Sequence, residues 1–369
     1  MSTIVSILIA VLVFGIVILF HEFGHFITAK WSGVQVNEFS IGMGPALVKK
    51  IWRGTQYSIR LLPVGGYVAM EGEDSPESSR TSAPQDEDFS DDEADLSPIP
   101  PEQSSGIPFD KAKLWKRLAI IVAGAFMNFV LGFLVLLAFV GMDDSIITMK
   151  IHSFDEGALC AETGLQAEDE IIAINGRRCF VPEDLSYELS RTKNYSADFT
   201  VLRDGKKVQL NDVRFNTVTD EEGNIYMPPQ IVVYAVPRTP MGVIRQAANY
   251  EIYYGRVMFT TLMDLARGRE SINNLSGPVG IVSAIEQAVS VDWSAVLSLL
   301  ALITINLGIF NLLPLPALDG GKVVFLLIEG VTRRPVPAKV QEVVNLIGFA
   351  LLFGLMTFVT GNDLIRLFF

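Results

Sequence analysis

Histidine and cysteine are scarce in this sequence, with three and two copies among 369 residues. Two cysteines, Cys160 and Cys179, cannot build a disulfide framework, and their spacing is not that of a zinc knuckle. Basic residues are also few, 29 Lys and Arg against 41 Asp and Glu, and nothing in their placement recommends nucleic-acid binding. Long runs of like charge are missing except in one place. Between Glu71 and Glu102 twelve acidic residues face Arg80 alone, a net of −11 out of −12 for the whole chain. That segment is rich in Ser and Pro and poor in apolar residues, which predicts a disordered stretch serving either as a solvated linker or as a docking or phosphorylated tail.

Apolar residues are what the chain has in excess: 50% of the sequence is hydrophobic and the mean hydropathy is +0.37. That is too apolar for an ordinary soluble protein of this length and implies a lipid bilayer as solvent. Four runs are long enough to span it: Ile4 to Phe26, Leu118 to Met142, about Ala295 to Ala317 with an apolar continuation past Asp319, and Leu346 to Gly361. No basic residue precedes the first run and no small-residue cleavage site closes it, so it reads as a retained span rather than a signal peptide. Lys30, Lys49, Lys50, Lys111, Lys113, Lys116 and Arg117 flank the ends of the first loop, and Arg333, Arg334 and Lys339 lie in the third. The positive-inside bias then places those loops in the cytoplasm, and both termini and the long second loop outside.

The first apolar run ends in His21-Glu22-Phe23-Gly24-His25. Ionisable groups at hydrocarbon depth are costly and mark functional sites. On a helix the two histidines stand one turn apart on one face, able to reach a single ion, with Glu22 close by but not itself a ligand. Zinc held by neutral imidazoles keeps a position for water and lowers its pKa toward ~7 while a carboxylate takes the proton, which is the chemistry of amide hydrolysis. A satisfied polar pair between packed helices is the plainer alternative. Asp319 supplies a third candidate ligand. It follows Asn311-Leu-Leu-Pro314-Leu-Pro316-Ala-Leu, where two prolines break a membrane helix, and irregular backbone at that depth is tolerated where it lines a site. Both this segment and the first run inward, so topology lets Asp319 reach the level of the histidines; a solvated turn residue is the alternative.

Between these anchors, alternating runs Leu47 to Trp52 and Tyr57 to Leu62 predict a hairpin around Gly54, with Gly42, Gly44, Pro45, Gly65 and Gly66 at bends or close approaches. It is either purely structural or an edge that captures an extended peptide. Asn128 needs a polar partner inside the second span, where Gly124 and Ala125 permit close helix packing. The outer loop carries a strand Ile171 to Ile174, an Asn175-Gly176 turn and a hairpin around Asp204-Gly205. That module, residues 148–216, resembles a bacterial protease-type PDZ domain, with Glu168-Asp169 replacing the usual Gly-Asp pair. Residues 237–270 predict an amphipathic, aromatic helix lying at the membrane interface or packed on the module.

Together, the metal motif in the first span, the Asn311-to-Gly320 motif in the third and the PDZ-like module between them resemble the site-2 protease family of zinc intramembrane metalloproteases, nearest to its bacterial regulator-of-sigma-E branch. The resemblance implies Zn2+ on His21, His25 and Asp319, with Glu22 as general base. It implies a substrate strand contacted by Asn311, the Pro314 region and the hairpin with Gly65 and Gly66, and it matches Asn128 to the family's second-span asparagine. The expected fold is a polytopic α-helical membrane protein. Its parts are a first transmembrane helix (1–31), a membrane-associated β-hairpin (36–70), the acidic insert (71–106), a second helix (117–142), one extracytoplasmic PDZ domain (148–216), the interfacial helix (237–270), a third transmembrane segment (295–330) and a fourth helix (343–362). The implied task is regulated intramembrane proteolysis in a bacterial inner membrane, cutting a single-span protein such as an anti-sigma factor or a remnant signal peptide, with the active site near the cytoplasmic side. A non-catalytic PDZ-containing scaffold and a zinc transporter are the competing classes. A scaffold needs none of the four site residues, and a transporter needs a path of several intramembrane ligand sets.

Overall fold

The computed structural model describes residues 3–73, 106–192, 194–219 and 225–368, so most of the acidic insert lies outside the described residues. They form two compact units, one of residues 1–132 and 258–369, the other of 133–257. Among the described residues four helices are long and apolar enough to cross a membrane: Val5–Ser32, Leu114–Met142, Trp293–Leu312 and Ala338–Leu367.

The first unit opens with helix α1 (Thr3–Ser32) and strands β1 (Val36–Trp52) and β2 (Thr55–Met70). Arg53 and Gly54 both have positive φ, which gives the primed turn whose twist suits a two-residue hairpin loop. The hairpin then doubles back on itself. Residues 38–41 register with 66–69 and also with 56–59, while 46–52 pair with 55–60, giving the spatial order 66–70, 36–41, 55–59, 46–52. Gly42 (φ +87) and Gly65 (φ +87) supply the bends, and a Cβ at Gly42 would lie 2.4 Å from the Leu62 carbonyl oxygen. Inside this folded ribbon a buried Glu38 accepts hydrogen bonds from Ser58 and Arg60, and Arg60 also donates to Ser40 Oγ and the Gly44 carbonyl (2.9 and 2.8 Å). Every charged or polar group in the cluster therefore has a partner, as burial requires.

Helix α2 begins the second span (Leu114–Met142). At the end of the second unit, α5 (Pro240–Ala266) leads back to the first unit and to α6 (Pro278–Val291), α7 (Trp293–Leu312), α8 (Asp319–Thr332) and α9 (Ala338–Phe368). The expected third segment, 295–330, is two helices, α7 and α8, parted at the two prolines that the sequence places there. Pro314 and Pro316 cannot donate backbone hydrogen bonds, and Ala317 adopts positive φ (+68), so the chain leaves α7 after Leu312 and restarts at Asp319. The ends of α1, α2 and α8 are tied together. Lys116 Nζ donates to the Ser32 carbonyl at 2.7 Å, Arg117 pairs with Glu329 at 2.8 Å, and Ala29, Val36, Phe109, Ile120, Ile121 and Leu326 form one buried apolar cluster beneath them.

The second unit holds an antiparallel sheet in the order β10-β3-β4-β6-β7, with β5 paired to β4. Its strands are β3 (Ser145–Phe154), β4 (Glu170–Ile174), β5 (Arg177–Arg178), β6 (Ser196–Arg203), β7 (Lys206–Arg214) and β10 (Ile231–Pro237). Two short strands, β8 (Val218–Thr219) and β9 (Ile225–Tyr226), pair separately. Helices α3 (Leu159–Glu162) and α4 (Glu183–Ser190) close the core, whose centre is Ile151, Leu165, Ile174, Leu189, Phe199 and Val201. Because β10 pairs with β3, the folded unit extends well beyond 148–216. Asp169 is buried and held by Arg203 through two hydrogen bonds of 2.8 and 2.7 Å, while Glu168 takes positive φ (+71), the conformation a glycine there would adopt freely. Helix α5 packs on α4 through Tyr250 to Glu183 (2.9 Å) and Arg256 to Asp184, and leaves Met241, Ile244 and Ile252 exposed.

Cys160 and Cys179 are buried, free thiols in this unit. Burial pushes the first up to about 11 and the second to about 12. Thiolate is the reactive form, so at pH 8 both should react with an aqueous thiol reagent at least ~100-fold more slowly than in the unfolded chain. The rate should keep rising with pH beyond 9, where an ordinary exposed thiol levels off. Fast labelling of the folded protein at pH 8 would contradict this environment.

Candidate metal centre

All residues of the site lie in the first unit. Helix α1 presents His21 and His25 one turn apart, their rings 4.8 Å apart and nearly perpendicular. Both are buried, 8% and 7% exposed. Asp319 stands at the N-terminus of α8, delivered there by the proline break. Its Oδ2 lies 3.1 Å from His21 Nε2 and 3.2 Å from His25 Nε2, and the two Nε2 atoms are 3.2 Å apart. Three donor atoms thus form a nearly equilateral triangle. Two ligands about 2.0–2.1 Å from one tetrahedral centre stand roughly 3.3 Å apart, so the triangle fits zinc.

The protonation of the donors supports the same fit. His25 Nδ1 is 2.8 Å from the Ile120 carbonyl oxygen, which can only accept. Nδ1 therefore carries a proton, and in the neutral imidazole that binds metal Nε2 turns its lone pair toward Asp319. The Asp319 Oδ2 atom is itself buried without a hydrogen-bond partner. A carboxylate oxygen and the lone pair of a neutral imidazole facing one another in a buried site repel, and a cation held between them relieves that repulsion as a proton on Nε2 would.

The close approach of α1 and α2 makes this possible. A Cβ at Gly24 would lie 2.2 Å from the Ala123 carbonyl oxygen, and one at Gly124 would lie 2.3 Å from His25 Nε2 and 2.7 Å from His21 Cε1. On the third side, a Cβ at Gly308 would meet the Ala125 carbonyl oxygen at 3.2 Å, so α7 also lies against α2. Small residues at such crossings let membrane helices approach backbone to backbone.

The remaining candidates divide. Asn128 and Asn311 both reach the site, their side-chain amides 3.3 and 3.4 Å from His21 Nδ1. Gly66 faces Glu22: a Cβ there would lie 3.6 Å from Glu22 Cγ and 2.8 Å from the Ser40 carbonyl oxygen. Gly65 packs instead against the Met43 side chain, and Pro314 is exposed in the loop between α7 and α8. Sequence reasoning did not find the Ile120 carbonyl or the part played by Gly24. The available signal was a small residue inside the metal motif itself, directly before the second histidine.

Compared with known proteins, the sequence matches peptidase family M50 over residues 9–355. It is 32% identical over 436 aligned residues to the Enterococcus faecalis protein named probable protease eep, covering 100% of each chain. It is 30% identical over 413 residues to zinc metalloprotease RasP of Shouchella clausii, covering 96% of this chain and 98% of that one.

Proposed function

The chain belongs to peptidase family M50, a family of proteases, and from that premise we propose that it is a zinc endopeptidase cutting single-span proteins within their membrane segments. The observation that carries this is the buried triangle of His21, His25 and Asp319 donors, 3.1–3.2 Å on each side, with Glu22 between the histidines in sequence. When bound, zinc supplies Lewis acidity there, polarising a carbonyl and lowering the pKa of water toward ~7. His21, His25 and Asp319 hold it. Glu22 accepts a proton from the attacking water at a carboxylate oxygen and returns it to the leaving amide nitrogen, the ordinary work of a general base that then acts as acid.

The substrate must present an unwound amide, since a helix occupies its own peptide hydrogen bonds. The 66–70 segment lies at the edge of the folded ribbon with Gly66 beside Glu22, and its outer side has no strand partner among the described residues. That edge is suited to hold an extended substrate by strand addition. In this reading Asn311 and the Pro314 loop border the other side of the bound strand. Gly65 contributes through the bend that aims the edge rather than by touching substrate.

The second unit is read as the PDZ domain and α5 as the interfacial helix, both outside a bacterial inner membrane together with the two termini. The active site then lies near the cytoplasmic side. The substrate class is a single-span protein already shortened on its outer side, an anti-sigma factor or a remnant signal peptide. The test is cleavage of such a reporter by the purified protein in liposomes. Cleavage should stop on chelation, return with one equivalent of zinc, and be absent in Asp319→Asn. Cleavage that survives chelation and Asp319→Asn would overturn the proposal. Deleting residues 75–100 should leave both membrane insertion and cleavage within about two-fold of the full chain, as expected of a solvated linker; loss of either would assign the insert a role.

A further inference from the structure

Of the two histidines, His25 has its tautomer fixed by a backbone carbonyl, whereas His21 does not. Its Nδ1 has two side-chain amide nitrogens nearby, Asn128 Nδ2 at 3.3 Å and Asn311 Nδ2 at 3.4 Å. If both amides donated to it, Nδ1 would be an acceptor, the proton would sit on Nε2, and Nε2 could not bind a cation. At the same time Asn128 Oδ1 is buried with no hydrogen-bond partner, although Asn128 itself is 0% exposed. An orphaned buried acceptor costs about 1–3 kcal/mol.

A half-turn of the Asn128 amide about its Cβ–Cγ bond gives His21 Nδ1–H an acceptor and the orphaned oxygen a donor, and moves the amide nitrogen into the space the oxygen held, because the oxygen and nitrogen of a carboxamide fill nearly the same space. We propose that Asn128 is a positioning residue for His21: its amide oxygen accepts the Nδ1–H proton, which turns the Nε2 lone pair toward Asp319. Asn128 is the better placed of the two amides for this. It is fully buried, and its backbone carbonyl accepts a hydrogen bond from Thr304 Oγ1 at 3.3 Å, bracing α2 against α7 at that residue. Asn311, at the last turn of α7 and 9% exposed, is left free to turn its amide toward a bound peptide. Each ligand on α1 would then take its orientation from α2, one from the Ile120 carbonyl and the other from the Asn128 side chain. Outer partners of this kind typically change metal affinity 10–100-fold when removed.

This proposal rests on the zinc reading, and the experiment separates the two. Zinc affinity is measured by chelator competition on the full-length protein in detergent for wild type, His25→Ala, Asn128→Asp and Asn128→Leu, with the thermal unfolding of each metal-free form alongside. Asp has the size of Asn and only acceptor oxygens, so Asn128→Asp should bind zinc at least as tightly as wild type. Asn128→Leu, similar in volume but without an acceptor, should bind 10–100-fold more weakly while its metal-free form unfolds at no lower temperature than wild type. Cobalt substituted for zinc reports ligand geometry, and its visible spectrum should be that of wild type in Asn128→Asp and altered in Asn128→Leu. Equal affinity in both Asn128 variants, or equal weakening in both, would overturn the role of the acceptor while leaving the metal site standing. Undiminished binding in His25→Ala would overturn the zinc reading itself.

Discussion

Glu22→Gln is expected to keep one zinc per chain and to cut at least ~1000-fold more slowly than wild type, within the range by which a positioned general base accelerates a reaction. Glutamine preserves the size and planarity of the side chain, so the fit of Glu22 against Gly66 and the packing of α1 are retained. The histidines and Asp319, the proposed metal ligands, are untouched. What is lost is an oxygen able to take a proton from water and return it to the leaving nitrogen. Zinc content and reporter cleavage, measured on the same preparation, decide the matter. A variant that retains zinc and cuts at a tenth of the wild-type rate or faster would show that another group is the base.

Gly124→Ala is expected to produce the opposite combination, a sound fold that binds zinc at least ~100-fold more weakly, because liganding groups tolerate displacements of only about 0.5 Å. The added methyl carbon would lie 2.3 Å from His25 Nε2, 2.5 Å from His25 Cε1 and 2.7 Å from His21 Cε1. These atoms have little room to retreat, since His25 is tied to the Ile120 carbonyl on the same helix and both imidazoles face Asp319. Alanine meanwhile favours a helix over glycine by about 1 kcal/mol, so α2 itself should not suffer. Gly141→Ala, on the same helix with nothing within 4 Å of the added carbon, is the control and should bind zinc normally. Chelator competition on both variants provides the comparison. Equal affinity in the two would mean that the helices can separate without disturbing the ligands.

The contrast between these substitutions reflects what the sequence makes legible. The His-Glu-x-x-His motif could be placed because a helix has a fixed period, and Asp319 because two prolines before it announce a break inside an apolar run. Four spans followed from length and hydropathy alone. The distances that make the site work come from elsewhere in the chain. Nothing local to Gly124 says that a histidine about a hundred residues earlier will rest against it. Asn128 and Asn311 share His21 only because α2 and α7 both approach α1. The ribbon was legible as a hairpin, but its doubling depends on the two glycine bends and on a register that pairs 38–41 on both sides, and neither can be read from alternation. In the second unit, the Asp204-Gly205 turn is where the sequence indicates it, whereas the pairing of β10 with β3 joins strands separated by most of the module.

The position of Asp319 also bears on how the protein is made. His25 and Asp319 are 294 positions apart (319 − 25), and α2, which orients the histidines, lies between them in sequence. At synthesis rates of about 5–20 residues per second, roughly 15–60 s pass between the two residues leaving the ribosome's catalytic centre. Throughout that interval α1 would carry two of the three proposed ligands without the third. On the proposed reading, a nascent chain would lack a complete metal site until Asp319 has been added.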